Sequence, residues 1–214
     1  MTTKTAGEIA RIIEILEACY PEPVCSLDYG HAYELLFSAR LAAQCTDARV
    51  NTVTPALFAR YPTLEAFAEA DVADVEAIIH PCGFFRSKAR DIVACAAKLL
   101  SDYGGELPDT VEELVKLPGV GRKTANLIVG DVFHKPAIVT DTHCIRIANR
   151  LGLCQTREPV RVERALREII PPEKGSDFCH RLVLFGRDVC TARAPRCGDC
   201  PLAEFCAERA KTNG

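Results

Sequence analysis

Four cysteines near the C-terminal end of the chain, Cys190, Cys197, Cys200 and Cys206, follow the pattern C-x6-C-x2-C-x5-C. Four thiolates within 17 residues point to a metal centre, because each sulfur is a soft anionic ligand. The residues between them, Arg193, Pro195, Arg196, Gly198 and Asp199, are poor company for cysteines of an apolar core. The spacing by itself leaves two centres open, a tetrahedral zinc and an iron–sulfur cluster. Arg193 and Arg196 lie between the first two cysteines, where they can meet phosphate. The other eight cysteines, Cys19, Cys25, Cys45, Cys82, Cys95, Cys144, Cys154 and Cys179, are scattered through apolar segments and read as small buried hydrophobes. A disulfide-stapled mini-protein is excluded by the chain's length and helical pattern.

A second reactive group lies in Leu117-Pro118-Gly119-Val120-Gly121-Arg122-Lys123. Glycines permit positive φ and put no side chain in the way, so such a turn can bring backbone N–H groups up to a phosphate. The helix that follows adds the positive end of its dipole. Lys123 falls in the first turn of that helix, where a cation is electrostatically unfavourable, so its presence needs a reason. One is phosphate binding; the other is nucleophilic catalysis. An amine with a pKa near ~10.4 is a poor nucleophile at neutral pH. The dipole, the adjacent Arg122 and partial burial would each favour its neutral form. Asp141, placed between Ala137-Ile138-Val139-Thr140 and Thr142-His143, reads either as a helix N-cap or as a partner in that chemistry.

The elements that must position these groups are helices almost throughout. Ile9, Ile12, Ile13 and Leu16 recur at helical spacing, giving a first helix over residues 7–20. A second apolar helix is expected over 32–45, and a third, capped by Thr46 or Asp47, up to Tyr61-Pro62. Thr63 caps a fourth, and Asp71 or Asp74 a fifth that ends at Pro81-Cys82-Gly83. Ser87 opens a sixth that Gly104-Gly105 closes. Thr110 with Glu113 forms a capping box for a short seventh. Helices then follow from Arg122 to about Phe133, from near Asp141 to Gly152, over 159–170 and over 176–189. Ala137-Ile138-Val139 is extended at most. The fold class is all-α.

About half of the 214 residues are apolar (48%), enough to bury a core, but no apolar run reaches the roughly 20 residues that span a bilayer. The first 20 residues show an amphipathic helix with interior charges rather than a signal peptide, so a soluble intracellular protein is expected, with no membrane partner. The formal net charge of −3 hides a polarity along the chain. Residues 1–115 carry 18 acidic and 9 basic side chains, whereas 116–150 carry 2 and 6. A basic stretch on an acidic body suits a local phosphate-binding face. Arg40 interrupts the apolar pattern of Leu35, Leu36 and Leu41 and reads as a snorkelling side chain or a phosphate contact.

The segment L-P-G-V-G-R-K-T-A, the T-D-T-H around Asp141 and the cysteine spacing together resemble the endonuclease III family of helix-hairpin-helix DNA glycosylases, from about residue 7 to 208. The resemblance implies two helical lobes with a DNA-binding cleft: residues 25–135, containing the helix-hairpin-helix at 110–133, and residues 1–24 with 136–214, carrying the cluster loop at 190–206. It selects a 4Fe–4S cluster on Cys190, Cys197, Cys200 and Cys206. It implies that Lys123 attacks the sugar of a damaged nucleotide and that Asp141 assists. Removal of oxidised pyrimidines and β-elimination at the abasic site, acting as a monomer in the cytoplasm on double-stranded DNA, complete the expectation. Gln44 in L-A-A-Q-C-T-D and Phe84 before the R-S-K-A stretch fill the gap left by the flipped nucleotide, with Phe85 an alternative to Phe84. Leu117, Gly119, Val120, Gly121, Arg122 and His143 join Arg193 and Arg196 as DNA contacts. Two departures from the family pattern are Thr140 before the aspartate, where an apolar residue is usual, and Ala194, where a basic one is common. A mismatch-adenine glycosylase of the same family would lack Lys123; a non-catalytic binding module or an electron-transfer protein leaves Lys123 or the hairpin unexplained.

Overall fold

The structure is a computed structural model and describes residues 2–212. Among these residues every regular element is helical. The chain divides into two compact units, one formed by Cys25–Phe133 and the other by the segments on either side of it. Among the described residues no helix is long and apolar enough to cross a membrane.

The central unit contains α2 (Ala32–Leu41), α3 (Asp47–Arg60), α4 (Leu64–Ala68), α5 (Val72–Ile79), a 3-10 turn at His80–Cys82, α6 (Phe85–Tyr103), α7 (Val111–Leu114) and α8 (Arg122–Asp131). The 19-residue α6 is its spine, packing against α4, α5 and α2, while α2 also packs on α3 and α8. Leu35, Phe37, Leu57, Phe67, Ile92 and Leu99 are at most 1% exposed and form the core. The rings of Phe37 and Phe67 meet edge to face with centroids 5.0 Å apart. Thr46, Thr63, Asp71 and Thr110 each accept a backbone N–H in the first turn of the helix they precede, so short polar side chains start these helices as local chemistry dictates.

The second unit holds α1 (Ala6–Cys19), α9 (Thr142–Leu151), α10 (Pro159–Arg167), a 3-10 turn at Pro172–Lys174, α11 (Gly175–Asp188), a 3-10 turn at Ala203–Phe205 and α12 (Ala207–Thr212). Here α9 is central, in contact with α10, α11 and α12, and α1 lays Ile12 and Leu16 against α11. Residues 135–140 run without regular structure and are anchored by the Val139 N–H, which donates to Cys179 Sγ at 3.3 Å.

Several expected boundaries move. The second helix stops at Leu41 rather than 45, because the chain turns at Gln44 into the left-handed region (φ 55°). The fifth ends at Ile79 and passes into the 3-10 turn. The sixth begins at Phe85, two residues before Ser87, whose hydroxyl donates to the Phe84 carbonyl from inside the first turn. Thr110 caps α7, but Glu113 does not reciprocate; its carboxylate accepts from Lys116 and Tyr103 instead. Of the eight scattered cysteines, five are buried, whereas Cys19 is exposed and Cys25 and Cys45 are half-buried. Cys19 closes the exposed end of α1, and Cys45 lies in the turn after α2.

Candidate functional site

The central unit contributes a hairpin between α7 and α8. Leu117-Pro118-Gly119-Val120 is a four-residue turn closed by the Val120 N–H, which donates to the Leu117 carbonyl at 3.2 Å. Proline in the second place and glycine at φ 73° in the third match the demands of a type II turn. The side chains of Leu117 and Val120 are buried, so only their backbone can meet a ligand. Gly119 and Gly121 are exposed. Gly119 lies directly on an ion pair: Arg40 Nε donates to Asp91 Oδ2 at 2.8 Å, and a Cβ on Gly119 would lie 2.7 Å from Asp91 Cβ and 2.8 Å from Arg40 Nε. Arg40, unexplained by its sequence context, is the floor of the hairpin.

Gly121 is the N-cap residue of α8 and, having no side chain, leaves the first-turn N–H groups of that helix without a side-chain cap. Most other α-helices of the chain are capped by a threonine or an acidic residue. An uncapped helix start with exposed glycine before it is suited to an anion. Lys123 is exposed in this first turn, and its amine has no hydrogen-bond or ion-pair partner among the described residues. The partial burial expected for it is absent, because α8 turns its buried face (Ala125, Leu127, Ile128, Val129) inward and leaves position 123 on the other side.

The same unit carries Gln44 and Phe84. Both are exposed and both have left-handed backbone, φ 55° and 48°. Phe84 is 64% exposed, whereas Phe85 packs on His80, with ring centroids 4.5 Å apart. Arg122 is exposed beside Lys123.

The second unit carries Asp141, His143 and the cysteine loop. Asp141 is the N-cap of α9, its Oδ1 accepting the Cys144 N–H at 2.7 Å, so one carboxylate oxygen is committed to the helix. His143 is half-buried, close against Gly186 of α11, where a Cβ would lie 2.4 Å from its Nδ1. Two arginines of α9, not singled out by sequence, grip the cysteine loop. Arg146 Nη2 donates to the carbonyls of Cys190 (2.9 Å) and Gly186 (3.2 Å). Arg150 Nη1 donates to Cys190 Sγ (3.2 Å) and the Thr191 carbonyl (2.9 Å), and its Nη2 to the Ala192 carbonyl (3.2 Å). Their i, i+4 spacing on α9 was the available sign. Arg193 is exposed, whereas Arg196 folds back so that Nε and Nη2 donate to the Asp188 carbonyl at 3.1 and 2.6 Å.

The four cysteines fit an iron–sulfur cluster. The Cys206 thiol donates to the Arg150 carbonyl at 3.5 Å, and Arg150 also reaches Cys190 Sγ, so α9 touches two of the four sulfurs. Burial pushes the Cys200 thiol up, the Leu202 N–H opposes it, and the sulfurs of Cys190, Cys206 and Cys197 add to the rise. Four thiolates in one short loop are the soft ligand set that an iron–sulfur cluster takes.

Comparison with known proteins bears on the same residues. Residues 37–172 match the HhH-GPD superfamily of base excision DNA repair proteins, and residues 190–206 match the iron–sulfur binding domain of endonuclease III. The chain is 47% identical over 196 residues to the endonuclease III of Synechocystis sp., covering 91% of this chain and 90% of that one. Among solved structures, a non-covalent endonuclease III–DNA complex superposes with a TM-score of 0.93 at 40% identity, covering 99% of both chains. A trapped endonuclease III–DNA covalent intermediate does so with the same score and identity, covering 99% of this chain and 100% of that one.

Proposed function

Since the chain belongs to the endonuclease III family, we propose that Lys123 and Asp141 carry its chemistry and that the hairpin, Gln44 and Phe84 hold the DNA open for it. The protein is a DNA glycosylase and abasic-site lyase of base excision repair, with a 4Fe–4S cluster. The damaged nucleotide is flipped out of the stack, at a cost of a few kcal/mol that damage lowers. Hairpin N–H groups and the uncapped start of α8 hold the phosphates on either side of it. Gln44 and Phe84 fill the vacated space.

Lys123 Nζ then attacks C1′ of the sugar. The bond from C1′ to the base breaks, and its electron pair leaves with the base, which takes up a proton. Asp141, whose Oδ1 is bound to the Cys144 N–H, offers its other oxygen to the positive charge that develops on the sugar. The C1′–O4′ bond then breaks, O4′ takes up the proton that Nζ gives up, and the iminium left between Lys123 and C1′ acidifies the C2′ hydrogen. Loss of that proton expels the 3′ phosphate and cuts the strand. Cys190, Cys197, Cys200 and Cys206 would hold the cluster, which when bound would cross-link the loop. Arg193, Arg196 and His143 serve the phosphate backbone from the second unit. We assign oxidised pyrimidines in duplex DNA as substrates, and monomeric action in the cytoplasm.

The observation that carries the reading is the exposed, unpartnered Lys123 amine in the first turn of a helix with no side-chain cap. Borohydride trapping on a duplex with one thymine glycol tests it. Wild type should give a covalent protein–DNA band and Lys123→Ala none, with strand cleavage abolished. Undiminished cleavage by Lys123→Ala would end the assignment.

A further inference from the structure

Lys88 is the one lysine with no exposed surface among the described residues. It lies in the first turn of α6, and its amine donates to two backbone carbonyls, Leu41 and Cys82, each at 2.8 Å. Leu41 ends α2 and Cys82 ends the 3-10 turn before α6. Carbonyls at helix ends have no intrahelical partner, and these two are satisfied by one buried ammonium. Burial lowers the pKa of Lys88, and the Cys45 and Cys82 thiols beside it act in the opposite direction. Packing alone does not account for such a residue, since an apolar side chain of similar volume fills the same space without desolvating a charge.

What an apolar side chain could not do is bind the two chain segments together. Three residues beyond Leu41 stands Gln44, and two beyond Cys82 stands Phe84. These are two of the three non-glycine residues with positive φ among the described residues. Strained backbone of this kind persists only where its surroundings hold it. Both side chains are exposed. One turn further along α6, Asp91 holds Arg40 beneath Gly119, so a single helix face supports the hairpin and both strained turns.

We propose that Lys88 is a positioning residue that locks the turns of Gln44 and Phe84 into the register in which they enter the DNA stack. The inference rests on reading those two side chains as the pair that fills the gap. Lys88 itself touches no DNA.

The test uses the full-length, cluster-loaded protein on a duplex carrying a stable abasic analogue with 2-aminopurine in the opposite strand, whose fluorescence rises on unstacking. Lys88→Met should bind undamaged duplex as wild type does. It should lose most of the fluorescence rise, and on a duplex carrying thymine glycol its kcat for base excision should be down roughly 10- to 100-fold with KM unchanged, the signature of misplaced rather than missing groups. In a Gln44→Ala/Phe84→Ala background, Lys88→Met should cost nothing further, because its effect passes through those residues. A folded Lys88→Met with the full signal and wild-type kcat overturns the proposal, as does an additive loss in the double-variant background. If Lys88→Met does not fold, Lys88→Gln, which keeps donor groups on a shorter stem, is read in the same assay. It should give an intermediate signal, and a wild-type one overturns the proposal. A wild-type signal from Gln44→Ala/Phe84→Ala in an otherwise unaltered protein would instead remove the gap-filling reading on which the inference stands.

Discussion

The hairpin at 117–121 and the cysteine loop at 190–206 are both short of regular structure, yet they are held in opposite ways. The hairpin is fixed from below by packing: Leu117 and Val120 are buried, and Gly119 sits on the Arg40–Asp91 pair with no room for a Cβ. Its working surface is backbone. The cysteine loop has little to bury. Its carbonyls are taken instead by charged side chains, Cys190 by Arg146 and Thr191 and Ala192 by Arg150, both from α9, and Cys197 by Arg209, while Leu202 is the buried apolar side chain of the loop. A packed turn is complete as folded, whereas a loop held by guanidinium groups and sulfur depends on its cofactor. The difference follows from composition, since two apolar side chains in five residues anchor a turn and the cysteine loop has few to offer.

The largest effect is expected at Asp141, which caps α9 and which we propose also assists the chemistry. Asparagine caps a helix as well as aspartate does. Asp141→Asn should therefore leave the melting temperature within about a degree while base excision falls on the order of 10²- to 10⁴-fold. A large loss of stability with unchanged turnover would make the residue a cap alone.

At the hairpin, two glycines separate folding from binding. Gly119→Ala forces an alanine into φ 73° and against Asp91, and should destabilise the protein by about 1–3 kcal/mol, measured by denaturant unfolding. Gly121 has φ −92° and nothing within 4 Å of the position its Cβ would take. Gly121→Ala should fold as wild type but bind duplex more weakly, because the new methyl stands where a phosphate approaches; an unchanged Kd in an anisotropy titration would deny the hairpin that role.

In the cysteine loop, Arg150→Met removes donors to Cys190 Sγ and to the Thr191 and Ala192 carbonyls, charge-assisted bonds worth about 1.5–3 kcal/mol each when buried and less in this half-buried site. The visible absorbance of the cluster should then bleach faster in air, with the helical signal retained. The smallest effect belongs to Arg196→Ala. Its exposed pair with Asp188 contributes less than about 1 kcal/mol to stability. If Arg196 also meets a phosphate, the salt dependence of duplex binding should flatten by about one ion. An unchanged slope would leave it as a clasp on the end of α11.

The order of residues set the all-helical class and most helix starts, because capping by Thr46, Thr63, Asp71, Thr110 and Asp141 is a matter of neighbouring residues. It determined the hairpin, whose proline and glycines impose their turn locally, and the cysteine spacing that selects a metal centre. Packing between elements set what depends on residues far apart in the chain. Arg40, an oddity in an apolar pattern, became the floor of the hairpin through Asp91, 51 positions away. Lys88, an unremarked lysine in R-S-K-A, became a buried tie to Leu41, 47 positions away. The different burial of Phe84 and Phe85 follows from packing too, and so does the exposure of Lys123, set by the face that α8 turns inward. Local rules set which backbone shape a segment prefers, but the partner that satisfies a buried charge or covers a ring comes from another element, and spacing along one segment does not name it.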